Sequence, residues 1–278
     1  MKIIKKVGVL LITAIMVTGT IFIGNTTNTY AQQTTYKKQL LEGQTYKCDL
    51  DGDKDKDSIK VYVSNNKLLL KVNSKVVTLI PYYDDEYPPY YTVRIYDFNK
   101  KDKSLDILFQ WEGDSEWGAK LLKFKNSTCK VNKNFDYCSL FSESDCDKVG
   151  YNSNTGIVTF CCDSDDRYAA FVNSIGMFFC YEKIKVNGYN VTYENTAEMD
   201  SCVKQNKYVA AKNLTAYTST SGKTRKYTVK KGSKVKIYSL YRKGNSKLIK
   251  IKNSSNQFAY IKAGSSLLFE QDSCLWWR

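Results

Sequence analysis

Between Cys48 and Val63 the chain reads CDLDGDKDKDSIKVYV, with aspartates at alternate positions running directly into a strand pattern. Asp49, Asp51, Asp53, Asp55 and Asp57 crowd hard oxygen donors onto one short turn. There they repel one another unless a cation sits among them, and Ca²⁺ takes six to eight such oxygens. Gly52 supplies the one position that adopts an unusual backbone angle cheaply. The strand after Asp57 is buried only if this loop closes, so loop and sheet are expected to form together. The next residues continue the sheet: Ile59, Val61 and Val63 alternate, then come a turn at Ser64-Asn65-Asn66, a run from Leu68 to Val72, a turn at Asn73-Ser74, and a run from Val76 to Ile80. Three strands joined by tight turns predict an antiparallel meander.

The same organisation recurs about one blade's length later. Thr92 to Tyr96 reads as a strand, Asp97, Asn99, Asp102 and Asp106 as a polar loop, and Ile107 to Trp111 as a strand again. Strand, acidic loop, strand thus occurs twice, the spacing of a blade-like or hairpin-based repeat. In the second copy one residue is inserted, and Lys100, Lys101 and Lys103 are placed to neutralise its carboxylates without metal, so it is the weaker cation site. Trp117 to Lys125, Thr155 to Cys161, Gly176 to Val186 and Tyr189 to Glu194 are further strand candidates, the last two joined by an Asn187-Gly188 turn.

Composition agrees with a sheet protein: Tyr 22, Phe 12 and Trp 4 stand against Gly 15 and Pro 3. Histidine is absent. That excludes histidine zinc sites, Ser-His and Cys-His nucleophile pairs and histidine general bases, leaving carboxylate, lysine, tyrosine or cysteine chemistry. Residues 1–31 read as a secretory signal: Lys2, Lys5 and Lys6, an apolar run from Val7 to Gly24, and small Thr29 and Ala31 before a cut. The alternative is an uncleaved anchor. Nine cysteines without a CxxC, in an exported chain, point to several disulfides. Adjacent Cys161 and Cys162 face opposite sides of a strand and are expected to take different partners, with Cys274 first and Cys48 second as the leftover thiol. If the thiols stay reduced, they are small buried apolar residues. Around Pro88 and Pro89, which exclude a central strand, Tyr82, Tyr83, Tyr87, Tyr90 and Tyr91 stand beside Asp84, Asp85 and Glu86 as an edge able to bind sugar or peptide.

Five short strand patterns from Leu214 to Ile261 predict a small closed or partly closed barrel. Between Lys207 and Lys262 every charged residue is Lys or Arg, within a chain of net charge +14. Such a surface attracts polyanions, and its candidate contacts are Tyr217, Lys230, Lys231, Tyr241 and Tyr260.

Two resemblances rest on these residues. DLDGDKDKDSIKV resembles the calcium loop of the FG-GAP-type, integrin α-like repeat, which implies Asp49, Asp51, Asp53 and Asp57 as ligands with a further contribution near Asp55. The FG-GAP dipeptides themselves are missing. The stretch AYTSTSGK, VKKGSKVKIYSLY and KLIKIKNSSNQFAYI is similar to a bacterial SH3 domain, a module commonly appended to secreted proteins for wall targeting. The order as a whole resembles exported proteins of clostridia and their relatives.

The expected protein is therefore all-β. A signal (1–31) precedes a meander or propeller-like domain with loops 49–57 and 97–106 (36–202), a linker (203–211), an SH3-like barrel (212–265) and a tail (266–278). Its expected role is a non-catalytic, secreted or cell-surface binding or structural protein, stabilised by Ca²⁺ and associated with the cell wall or another anionic surface polymer. No specific nucleic acid is expected, and membrane only if the leader is uncleaved. The alternatives are a wall-glycan hydrolase using Asp84, Asp114 or Glu116, and a basic module for polyanions or nucleic acid.

Overall fold

A computed structural model describes residues 37–83, 89–113, 117–140, 150–164 and 168–275. The leader, Asp84, Asp114 and Glu116 lie outside the described residues. The fold is mostly β, with three antiparallel sheets and two short helices.

The first sheet is the meander expected after the acidic loop. It runs β2 (Thr45–Cys48), β3 (Asp57–Ser64), β4 (Lys67–Val72) and β5 (Lys75–Ile80), following a short β1 (Lys38–Leu40) that belongs to the next sheet. Asn65 and Asn66 both take positive φ, 51° and 54°, the two-residue hairpin geometry whose twist matches its strands. Alternation in β3 buries Ile59 and Val61 on one face.

The second sheet repeats the plan with β6 (Tyr90–Tyr96), β7 (Asp106–Glu112), β8 (Trp117–Lys125) and β9 (Thr128–Asp136), and β1 adds to its edge. Here β7 is buried continuously from Asp106 to Gln110 because both faces of this sheet are covered. Val93, Ile95, Ile107 and Phe109 meet Leu68, Leu70 and Val72 of the first sheet. Tyr96, Leu108, Leu121 and Phe135 face the other way, into the larger core. A strand covered on both faces shows no polar alternation, and the DILF run reads accordingly.

The third sheet holds β10 (Cys138–Ser139), β11 (Gly150–Asn152), β12 (Ile157–Asp163), β13 (Phe179–Asn187), β14 (Asn190–Tyr193), β15 (Thr196–Met199), β16 (Tyr208–Val209), β17 (Leu214–Tyr217), β18 (Arg225–Val229), β19 (Lys234–Lys243), β20 (Ser246–Asn253) and β21 (Phe258–Lys262). Helices α1 (Ala169–Ile175) and α2 (Ser201–Gln205) lie between its strands in sequence.

Neither a closed barrel nor a propeller is present among the described residues. The expected barrel stays open because the edge it would close on is taken: β19 pairs with β16 through Val235 and Lys234, and with β15 through Ser239 to Tyr241. The order β15-β19-β20-β21-β17-β18 instead continues the third sheet without a break. A propeller fails for a related reason. After two four-stranded meanders, the later strands feed that long sheet and do not make another blade. Residues 203–211 contain the end of α2 and all of β16, with Tyr208 and Ala210 buried.

Cys138 and Cys162 form a disulfide between in-register partners on β10 and β12, and Cys161 is disulfide-bonded separately. Cys48, Cys129, Cys180, Cys202 and Cys274 are thiols outside any disulfide. Cys274 is buried rather than part of an exposed tail, and that burial pushes its thiol up to about 11.

Candidate metal centre

The first acidic loop is held shut by its own carboxylates. Asp57, at the start of β3, accepts the Leu50 amide on Oδ2 at 2.9 Å, which drops the Leu50 side chain into the core. Asp49 accepts the Gly52 and Lys54 amides at 2.7 and 2.9 Å, and Asp51 accepts that of Asp53 at 3.3 Å. Gly52 stands at φ +81°, and a Cβ there would lie 2.7 Å from the Lys103 carbonyl oxygen, so the second loop presses on the first where only glycine fits. The Leu105 amide donates to the Leu50 carbonyl at 2.8 Å and joins the two loops directly.

The consequence is a convergent oxygen set. Ligand atoms of Asp49, Asp51 and Asp57 all lie within 4.8 Å of one another. Asp53 and Asp55 are exposed and stand outside that group, Asp53 accepting the Asp55 amide at 2.8 Å. The amide bond lowers the Asp53 carboxyl, but local desolvation and the charges of Asp51, Asp55 and Asp49 together raise it. Among the described residues no lysine or arginine pairs with Asp49, Asp51 or Asp57. Their other partners are neutral: the Asn73 amide donates to Asp57 Oδ1 at 2.7 Å, and the Asn126 N–H to Asp51 Oδ2 at 2.7 Å. Three hard anionic oxygens held together by neutral donors fit a divalent cation such as Ca²⁺.

The second loop has the same frame and a different centre. Asp106, at the start of β7, accepts the Phe98 amide at 2.9 Å, and Phe98 is buried as Leu50 is. Its other oxygen, however, lies 2.8 Å from the ammonium of Lys123, which also stands 3.4 Å from Asp102. Lys123 is 0% exposed. Burial pushes the Asp106 carboxyl up to about 6, against the opposing pull of Lys123. The remaining candidates are spoken for: Asp97 pairs with Lys37 at 3.2 Å, and the Asn99 amide donates to the Val186 carbonyl at 3.1 Å. Lys100, Lys101 and Lys103, the residues expected to neutralise this loop, are exposed. The lysine that does so comes from β8, in the strand beyond the one Asp106 starts. The signal for it was a lone Lys inside the apolar run LLKF.

Each loop is also capped by a hairpin tip from a later unit. The β8–β9 tip brings Asn126 to Asp51 and the Ser127 hydroxyl within 2.8 Å of the Asn73 amide. The β13–β14 tip brings the Gly188 N–H to Asp102 at 3.0 Å. Tyr189, on that second tip, has its hydroxyl pushed up by burial and by the charges of Asp51, Asp102, Asp53 and Asp57.

Of the basic-surface residues, register places Tyr217 directly beside Tyr260, which pairs with Lys250. Tyr241 pairs with Leu248 and Leu248 with Lys262, so Tyr241 shares that face. Lys230 and Lys231 are exposed at the β18–β19 turn. No helix among the described residues is long and apolar enough to cross a membrane. Comparison with known proteins finds no matching protein family, no matching curated protein and no matching solved structure.

Proposed function

We propose that this is an exported, non-catalytic binding protein, stabilised by Ca²⁺ at the first acidic loop, that holds an anionic cell-wall or surface polymer on the outer face of its C-terminal strands. The observation that carries the reading is that face. Arg225, Tyr217, Tyr260 and Lys250 stand in register across β18, β17, β21 and β20. Beside them Lys236, Lys252 and Phe258 form a second row. The Lys250 and Lys252 ammonium groups lie 4.8 and 5.5 Å from the Phe258 ring centre, and Lys262 lies 5.2 Å from that of Tyr217. The rings beside these ammonium groups attract them through their π faces, and no acidic residue from Lys207 to Lys262 neutralises them.

Ca²⁺, when bound, supplies charge compensation for Asp49, Asp51 and Asp57. The protein's own part is to hold loop and β3 together. Closing the loop seats Leu50 and starts the first sheet, so metal affinity adds to folding stability.

Sedimentation with purified cell wall tests the binding claim. The protein is expected to pellet with wall that retains its phosphate-bearing polymer, to stay in solution when that polymer has been stripped, and to release nothing from the wall. The triple variant Lys236→Ala, Lys250→Ala, Lys252→Ala should lose the interaction. Equal binding to stripped wall would overturn the claim. So would a single-stranded oligonucleotide that displaces the wall polymer at far lower charge concentration.

A further inference from the structure

Three cysteines stand in one row across the third sheet. Cys138 on β10 is the register partner of Cys162 on β12, and Cys162 is in turn the partner of Cys180 on β13. Direct partners share a face, and all three are buried in the larger core. Cys138 and Cys162 carry the disulfide, while Cys180 is a thiol outside any disulfide. The backbone fixes their spacing. The Asp163 amide donates to the Tyr137 carbonyl at 2.9 Å, so the next pair along, Cys162 and Cys138, is the close kind without mutual hydrogen bonds, and the Cys162 amide and carbonyl turn to β13. Cys162 and Cys180 are then a hydrogen-bonded pair, whose α-carbons stand about 5.5 Å apart, within the span that a disulfide bridges.

That row has a chemical consequence. A thiolate displaces a disulfide along the line of the bond it breaks. The Cys138–Cys162 bond runs from strand to strand, and Cys180 lies on the continuation of that direction, behind Cys162. Acid–base groups stand beside it. Glu182, two residues along β13 and so on the same face as Cys180, is 2% exposed, and its Oε2 lies 4.0 Å from Cys162 Sγ. A Glu182 carboxylate oxygen and the two disulfide sulfurs all lie within 4.8 Å of one another. Arg242 holds the other oxygen of that carboxylate. Tyr168 completes the surroundings, its hydroxyl pushed well above its ordinary range by burial first and then by the charges of Cys180 and Glu182, against the pull of Arg242. Burial shuts outside thiols away from the disulfide, but not an attacker already in the row.

We propose that Cys138, Cys162 and Cys180 form an internal thiol–disulfide switch, in which the bond on Cys162 moves between Cys138 and Cys180. The Cys180 proton passes to the Glu182 carboxylate, and the thiolate attacks Cys162 Sγ. The Cys162–Cys180 bond forms as the Cys138–Cys162 bond breaks, the electron pair leaves on Cys138 Sγ, and that sulfur takes the proton back from Glu182. Nothing is oxidised or reduced overall. The two pairings close loops of similar length, and length enters chain entropy only as a logarithm, so packing sets the ratio between them. What changes is the junction between two sheets. β9 ends at Asp136 and β10 starts at Cys138, so the chain passes from the second sheet to the third through Tyr137 alone. In one state that junction is stapled to β12; in the other the staple joins β12 to β13 and β10 is held by its backbone pairing only. The switch is independent of the calcium loop and of the basic face.

Disulfide mapping of the full chain tests this. Folded protein is held in mildly alkaline buffer without added thiol, quenched in acid, unfolded, alkylated and digested in acid. A fraction with Cys138 alkylated and Cys180 joined to the Cys162 peptide is expected, the same at every protein concentration because the step is intramolecular. In Cys138→Ser treated with oxidised glutathione, which gives up its disulfide to the two remaining thiols, the Cys162–Cys180 pair should become the predominant form. Amide exchange at Cys138→Ser and its neighbours Tyr137 and Ser139 should rise about tenfold over the parent, while Cys180→Ser keeps the parent's protection there. The parent map needs no substitution and stands even where a variant fails to fold. The proposal is overturned if Cys180 is fully alkylated throughout the parent incubation, if Cys162→Ser yields as much disulfide-linked Cys180 as the parent, or if Cys138→Ser and Cys180→Ser protect the junction equally.

Discussion

The two acidic loops are one design with two solutions to the same electrostatic problem. Both open with a strand, seat an apolar residue through an amide-to-aspartate bond of 2.9 Å, and end on the aspartate that starts the next strand. They differ in what faces that aspartate's second oxygen: a neutral Asn73 amide at 2.7 Å in the first, the Lys123 ammonium at 2.8 Å in the second. The second loop therefore carries its cation covalently. In the first, Asp49, Asp51 and Asp57 converge with no built-in positive charge among the described residues, and the deficit is left to solution. Hairpin length produces the difference. The β4–β5 turn falls at Asn73 and Ser74, opposite the loop, whereas β8 runs on to Lys125 and so carries a side chain past Asp106.

The most damaging way to break this comparison is to remove the internal cation. Lys123→Met keeps the length of the side chain and leaves Asp106 and Asp102 without their charge partner. Losing one member of a buried pair costs about 3–5 kcal/mol, which urea unfolding at neutral pH will register. The loss should shrink in acid, where the carboxylates protonate. In the parent protein Asp106 has its own signature. Its folded value is raised to about 6 from an ordinary 3.8, so the stability it contributes is fully present below pH 3.8 and is lost as pH rises through about 6. Asp106→Asn should abolish that component of the pH profile, a difference of about 1–3 kcal/mol between the ends of the window.

Next in size is calcium itself. With metal at a hundred times its dissociation constant, stabilisation is about 2.7 kcal/mol, read as a rise of several degrees in melting temperature over a chelator control. Asp51→Asn should lower the affinity about tenfold or more while Lys123→Met, which faces the other loop from β8, leaves the calcium increment intact. An unchanged melting temperature on adding millimolar calcium to the parent would refute the metal assignment.

How much of this was written locally explains where the sequence could be read. The meander, its asparagine turns and the first loop depend on residues within a few positions of one another, and alternation from Ile59 to Ile80 exposes them. Cys161 and Cys162 take separate disulfides for the same reason, since strand neighbours face apart. Lys123 was not legible. Its partners come from a register across β7 and β8, whereas the lysines adjacent in sequence point to solvent. Barrel closure failed likewise. The strand pattern of β17–β21 is local, but its open edge depends on β15 and β16 having claimed β19 first.

A smaller effect tests whether the loops are packed as a pair. Gly52→Ala introduces a Cβ at positive φ and 2.7 Å from the Lys103 oxygen. Strain of this kind costs about 1–3 kcal/mol, and here it should appear both with calcium and with chelator, because the obstruction is steric. Gly43→Ala is the matched control: its φ is +77°, yet nothing lies within 4 Å of the added carbon, so only the conformational part of the cost remains. The difference between the two variants measures the loop-to-loop contact.

The smallest effect decides which carboxylates belong to the centre. Spacing alone nominates all five aspartates, and the repeat resemblance includes Asp53 and a contribution near Asp55. The structure brings together only Asp49, Asp51 and Asp57, with Asp53 and Asp55 turned to solvent. If the centre is that trio, Asp53→Asn and Asp55→Asn act only through screened surface charge and should each lower calcium affinity less than about threefold at physiological ionic strength. In the presence of chelator Asp53→Asn should be slightly stabilising, since it relieves the crowding that raises this carboxyl. Isothermal titration of the parent, the two neutralised variants and Asp51→Asn separates the cases. A loss at Asp53 as large as that at Asp51 would mean that the loop rearranges around the metal to recruit the outer carboxylates. The first loop would then be a site assembled by its ion, in contrast to the second, which Lys123 assembles in advance.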